Sequence, residues 1–205
     1  MSLHNTDTHF FGKQEGERIL FVARPHKIAL IFKLVKIYTI ALAVFVALTV
    51  LGTQLLSLGI FIIVGTILAL IIAIFGTKIV TDYQKRDVAY ITDRRLVHFE
   101  PTTLVATNPR SLTWDEVVKV KTYPPNFIWK QMAIGTVEIH ARSTFKTYGE
   151  TPLGTVTADD IEINDIYFYK DLGNYIDKIL FIYKQRPKEM DDIRPFISKP
   201  KGERY

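Results

Sequence analysis

Two adjacent arginines, Arg94 and Arg95, follow Asp93 between two β-forming runs. A guanidinium pair in such a turn could fork onto a phosphate group. The competing reading is that Asp93 and Arg94 shape the turn while one arginine pairs with a strand carboxylate. A headgroup site draws on a larger basic cluster, which favours the turn. Seven other cations surround one uncharged block: Arg24, Lys27, Lys33 and Lys36 before it, and Lys78, Lys85 and Arg86 after it. Each would contribute about 1 kcal/mol beside an anionic lipid surface. Setting topology and binding anionic lipid are compatible roles for them. A third candidate is Phe127-Ile128-Trp129-Lys130, between the breakers Pro124-Pro125 and Gly135. It could enter a membrane interface, where Trp prefers to sit, grip a protein partner, or cover the core of a sheet.

Other chemistry is missing from the pattern. The histidines, His4, His9, His26, His98 and His140, never fall at the His-x3-His spacing of a helical metal site. There is no Cys, which excludes disulfides, thiolate catalysis and cysteine-held metals. No Ser/His/Asp order, Gly-x-Ser-x-Gly or phosphate-cradling glycine loop occurs. Asp159 and Asp160 read as solvated carboxylates in a polar stretch. We therefore expect no catalytic residues, no metal, no cofactor and no enzyme activity. The basic balance, net +5 with a pI near 9.3, suggests an anionic partner. Beside a membrane segment, lipid is a simpler choice than nucleic acid.

The elements that must position these residues begin with the uncharged block. From Ile37 to Thr77 no Asp, Glu, Lys, Arg or His occurs. A bilayer core of about 30 Å needs about 20 apolar residues as a helix. The block holds two such lengths, near Leu34–Leu51 and Leu56–Thr77, with Gly52-Thr53-Gln54-Leu55 as the turn. It is too long, and too far from Met1, for a signal-peptide core. Lys and Arg flank both spans and the turn has none, so both ends are expected in the cytoplasm of a multi-pass plasma-membrane protein. Small residues recur every fourth position, at Thr39, Ala43 and Ala47 and at Gly65, Ala69 and Ala73. Such stripes let helices approach closely. They suit packing of one span on the other, or assembly into a homo-oligomer. With no ionisable residue inside the spans, a pump or transporter is disfavoured.

Beyond Arg86 the pattern turns β-like. Val88–Thr92 and Leu96–Phe99 make a hairpin signal. Val117–Tyr123, Thr136–Ala141 and Asp160–Asn164 alternate as half-buried antiparallel strands do. A long polar connection is expected over 143–159. Asn164 or Asp165 then caps a helix whose apolar face is Ile166, Tyr169, Leu172, Ile176, Ile179, Leu180 and Tyr183. Pro187 stops it. The expected organisation is a cytoplasmic segment at 1–27, a transmembrane hairpin at 28–78, a strand-rich domain at 86–185 and a flexible charged tail at 186–205. The fold class is an α+β membrane protein, in which a C-terminal amphipathic helix closes an antiparallel barrel or bent sheet.

Three short motifs carry a resemblance. They are Gly16-Glu17-Arg18-Ile19-Leu20 leading into Arg24-Pro25-His26; Tyr90-Ile91-Thr92-Asp93-Arg94-Arg95-Leu96; and Leu112-Thr113-Trp114-Asp115-Glu116-Val117-Val118, followed later by Ile134–Ile139. In this order around an apolar hairpin, they resemble the bacterial membrane-associated PH (pleckstrin-homology)-domain family. The resemblance implies a PH-like domain tethered to the inner face of the plasma membrane. It implies no enzyme, and fold alone does not supply a ligand. The expected function is a membrane-anchored binding or scaffold module recruiting a protein partner or anionic lipid. The alternative is a structural subunit of a membrane complex assembled through the small-residue stripes.

Overall fold

The computed structural model describes residues 9–55, 58–103, 105–142 and 160–198. Strand β1 (Ile19–Ala23) comes first, followed by the long helices α1 (Lys27–Gln54) and α2 (Leu58–Arg86). Next are β2 (Val88–Thr92), β3 (Arg95–Pro101), β4 (Thr107–Thr113), β5 (Val117–Tyr123), the short helix α3 (Phe127–Gln131), β6 (Ile134–Ala141) and β7 (Ile161–Tyr167). Helix α4 (Tyr169–Gln185) and a 3-10 turn (Pro187–Asp192) end the order. The expected connection at 143–159 lies outside the described residues.

The protein is α+β, with two helices long and apolar enough to cross a membrane and two antiparallel sheets. At 1.5 Å per residue, the uncharged part of α1, residues 37–54, rises about 27 Å, and that of α2, residues 58–77, about 30 Å. Both helices continue past the uncharged block as charged basal turns, so they are longer than the expected spans. Along their apolar windows almost nothing is buried within the chain. The hairpin packs along a single seam. Ala41 and Gly52 of α1 and Gly65 of α2 are buried there, and a Cβ on Gly65 would touch Leu48 and Phe45 at 3.4 Å. Tyr38 and Thr77 join their hydroxyls across the seam at 3.1 Å.

The sheets do not close into a barrel, which corrects the barrel form of the expectation. One sheet has the order β1-β2-β3-β4, the other β5-β6-β7. β4 and β5 adjoin in sequence but lie in different sheets, with Trp114 at the corner. Its ring is fully buried and its Nε1–H donates to the Thr92 carbonyl at 3.1 Å. The inner faces of both sheets and the apolar face of α4 form one core, including Ile91, Leu96, Val137, Ile139, Leu172 and Ile176. A second cluster covers the outer face of the first sheet, where Phe10 stacks on Tyr90 at 4.7 Å. This explains why every residue of β2 is buried.

The domain boundaries also differ from expectation. The sheet domain begins before the hairpin, because β1 pairs with β2 from Ile19↔Thr92 to Ala23↔Ala89. The first 27 residues are therefore not a separate segment. The stretch expected as a tail docks as far as Phe196. Ile193 is buried, the Phe196 amide donates to the Leu20 carbonyl at 3.0 Å, and its ring meets Phe21 edge-on at 4.9 Å. β4 escaped the pattern reading because Thr107-Asn108-Pro109 has poor strand propensity. Pro is tolerated there because β4 is an edge strand. β7 runs three residues further than expected, so α4 starts at Tyr169 after a left-handed Phe168, φ 54°, and neither Asn164 nor Asp165 caps it.

α4 lies close enough to β6 that a Cβ on Gly135 would fall 2.6 Å from the Tyr169 ring and 2.8 Å from the Tyr123 carbonyl oxygen. Gly135→Ala is expected to destabilise the protein by about 1–3 kcal/mol, the usual cost of overpacking. The measurement is the denaturation midpoint of the detergent-solubilised chain. An unchanged midpoint would mean that this contact yields freely.

Candidate functional site

The turn arginines face the N-terminal segment. Arg95 clasps the fully buried Glu17 carboxylate, Nε to Oε1 at 3.0 Å and Nη2 to Oε2 at 3.2 Å, and also donates to the Gly12 carbonyl at 2.6 Å. Thr92 donates its hydroxyl to the same carboxylate at 2.8 Å, and the Gln14 amide does so too at 2.8 Å. Asp93 pairs with Arg18, whose other guanidinium nitrogens donate to the carbonyls of Met190 and Asp191 at 2.8 Å. Arg94 is exposed, with a 3.4 Å bond to Gln14. The turn thus locks residues 12–18 and the C-terminal segment onto the sheet. The sequence reading pairs one of the two arginines with a strand carboxylate; the arginine is Arg95, and its carboxylate comes from a loop 78 residues earlier.

The hairpin base is the second site. Helix α1 is held by Asp165, which sits in β7 at φ 59°, a conformation Asp tolerates better than most residues. The Asp165 carbonyl accepts the His26 amide at 2.7 Å and its carboxylate pairs with Lys33 at 2.9 Å. His26 caps α1 by accepting the Ile28 amide, and its ring lies 5.0 Å from that of Tyr167. Burial, and then the neighbouring Lys27 charge, hold the His26 imidazole below its usual pKa, which favours the neutral ring that the cap requires. The foot of α2 is held by Gln84, donating to the His26 carbonyl at 3.1 Å, and by Asp87, paired with His98 Nε2 at 2.9 Å. Sequence reasoning assigned Asp165 to a helix cap and missed its grip on α1. The β-branched Ile163 and Ile166 on either side of Asn164-Asp165 were the available signal that the strand continues.

Around this base Arg24, Lys27, Lys36, Lys78 and Lys85 are exposed. Lys33 is tied to Asp165, and Arg86 folds back onto the Asp82 and Thr103 carbonyls and over the Tyr83 ring. The expected interface loop is the helix α3, capped by Asn126. Trp129 meets Phe32 of α1 edge-on at 4.7 Å, while Phe127, Ile128 and Lys130 are exposed. The two small-residue stripes do not meet. Gly65 is buried and Ala69 and Ala73 are half-buried against α1, but Thr39, Ala43 and Ala47 point outward.

One cluster was not foreseen. Glu138 and His140 project from one face of β6 beside Asp160, the only group of described residues able to offer three metal-ligating atoms within 4.8 Å. His140 Nδ1 bonds Asp160 at 2.8 Å and Nε2 lies 3.6 Å from Glu138. With one carboxylate on each side of the ring, and the Ala141 amide donating to Asp160 at 2.9 Å, the arrangement serves as a polar latch between β6 and the start of β7. Comparison with protein-family models, curated proteins and solved structures gives no match.

Burial works to raise the Glu17 pKa, but the hydrogen bonds from Arg95, Gln14 and Thr92 and the Arg95 charge together hold it below its usual value. The stability this group contributes is therefore present above the ordinary glutamate range and is lost as pH falls through the lowered folded-state value. Glu17→Ala should cost about 2–3 kcal/mol near neutral pH by leaving Arg95 unpaired. Glu17→Gln should lose less stability than the parent on acidification. Thermal unfolding in detergent, followed from neutral to acidic pH, checks both. Parallel acid curves for parent and Glu17→Gln would exclude Glu17 as the source.

Proposed function

We propose that the chain is a membrane-anchored, PH-like binding module whose hairpin spans the plasma membrane with both ends cytoplasmic. The observation that carries this is the attachment. Both helices are bonded to the sheet domain at their feet, α1 through Lys33 and Asp165 and α2 through Asp87 and His98, and Gln84 ties the foot of α2 to the cap of α1. Such an anchor fixes the orientation of the domain as well as its location. The uncharged lengths match a bilayer core, and the exposed lysines collar its cytoplasmic end.

The surface offered to a protein partner is the open edge of β5. It carries exposed Val118, Lys119 and Lys121, and an extended acidic segment could add to it as a strand. A tether raises effective concentration, so weak pairing suffices. In cells, a photoreactive residue at position 118 should give a discrete protein adduct that Lys119→Glu with Lys121→Glu abolishes. An adduct indifferent to both charges, or none at all, would overturn recruitment at this edge. Externally added trypsin should spare the chain in intact spheroplasts and cut it in inverted vesicles. Cleavage in spheroplasts would overturn the orientation.

One observation favours the subunit reading as a second role. Thr39, Ala43 and Ala47 form an outward strip that the hairpin itself does not use. Ala43→Leu with Ala47→Leu should then reduce crosslinked oligomers in membranes by severalfold, and undiminished oligomers would exclude this strip.

A further inference from the structure

We infer that α3 and the turn between β3 and β4 are membrane contacts in their own right, so that the sheet domain lies against the leaflet instead of hanging below it on the hairpin. This rests on the proposal that the hairpin spans the membrane.

Depth is the first observation. Lys36 and Lys78 mark the end of the uncharged lengths. Phe32, which holds Trp129 at 4.7 Å, lies four residues below Lys36, or about 6 Å along the helix. The polar zone of one leaflet is about 5–7 Å thick, so the Trp129 ring sits at the depth Trp prefers. Ile31 and Phe32 are both exposed below the charge boundary, and Phe32 joins the apolar surface of α1 to α3. Two and one residues before Trp129, Phe127 is 70% exposed and Ile128 53% exposed. Large apolar side chains scattered singly on a surface need no explanation, but a contiguous patch does. This patch continues the lipid-facing belt, and Lys130 beside it suits a phosphate.

The α2 side repeats the arrangement. Pro101, at the end of β3, lines a cleft of about 540 Å³ together with Ile79, Val80 and Tyr83 of α2 and Lys33 of α1. Ile79 is two residues beyond the uncharged block, so this end of β3 lies at headgroup depth. Arg86 holds the following turn by donating to the Thr103 carbonyl at 3.3 Å. In that turn Val105 is 91% exposed. Exposed apolar side chains thus stand beside the base of α1, on α3, and in the turn that α2 holds through Arg86.

The absence of native cysteine makes single-cysteine labelling direct. Full-length Phe127→Cys, Ile128→Cys and Val105→Cys would be spin-labelled in vesicles of phosphatidylethanolamine and phosphatidylglycerol. Ile67→Cys on α2 serves as the lipid reference and Val118→Cys as the water reference, both positions being exposed. The ratio of collisions with oxygen to collisions with a water-soluble nickel chelate reads depth. The expected result is a ratio at 127, 128 and 105 severalfold above that at 118, with 67 higher still. Ratios at 127 and 128 equal to that at 118, with 67 lipid-like, would overturn this inference alone. A water-like ratio at 67 would overturn the spanning hairpin and this inference with it. In the unsubstituted protein, lipid brominated near the headgroup should quench Trp129 while Trp114, fully buried, stays bright. No quenching would equally overturn the inference.

Discussion

The pairing of Ala23 with Ala89 constrains the rest of the molecule. Between these neighbours on adjacent strands lies the entire helical hairpin, 65 residues from Arg24 to Val88. Strands in a sheet are about 4.8 Å apart and packed helices about 8–10 Å, so the two feet enter the sheet almost together. Closing a flexible loop of that length would cost about 4 kcal/mol. A preformed hairpin removes most of that cost, because its packing already holds the two feet together, with Gln84 bonded to the His26 carbonyl. The hairpin and the sheet therefore support one another. The seam through Ala41 and Gly65 brings β1 to β2, and the β1–β2 ladder in turn fixes the direction of the seam.

The polar contacts follow from this insertion. A chain that leaves a sheet and re-enters it carries charged groups to the junction, where they are partly desolvated and must find partners. Lys33 finds Asp165, Asp87 finds His98, and Gln84 satisfies the His26 carbonyl. At the opposite end of the sheet, Glu17 and Arg95 are paired for the same reason. An exposed ion pair adds little stability, but removing one partner of a buried pair strands a charge. These pairs determine how the parts are oriented more than how stable they are.

The same insertion separates the surfaces available for other work. Cationic and apolar side chains gather around the hairpin base, at Lys27, Lys36, Lys78, Lys85, Phe127 and Ile128. The outer face of the second sheet is polar, with Lys119, Lys121, Glu162 and the Glu138–His140–Asp160 latch. α4 covers the inner face.

The sequence by itself determined the two long apolar helices, the β2–β3 hairpin, the alternating strands β5 and β6 and the amphipathic face of α4. These depend on local periodicity and on length, which a chain displays residue by residue. It also marked Trp129 and the basic flanks as residues apart. Only the tertiary structure decided that Ile19–Ala23 is the first strand of the sheet, since a short apolar run has no partner until the chain returns 65 residues later. The β4 edge, the docking of Ile193 and Phe196, the grip of Asp165 on Lys33, and the capture of Arg95 by Glu17 belong to the same group. Each joins residues far apart in sequence. Charge and apolar character can be read locally, but which charge meets which, and which small-residue stripe is buried, depends on how the two sheets and the hairpin come together.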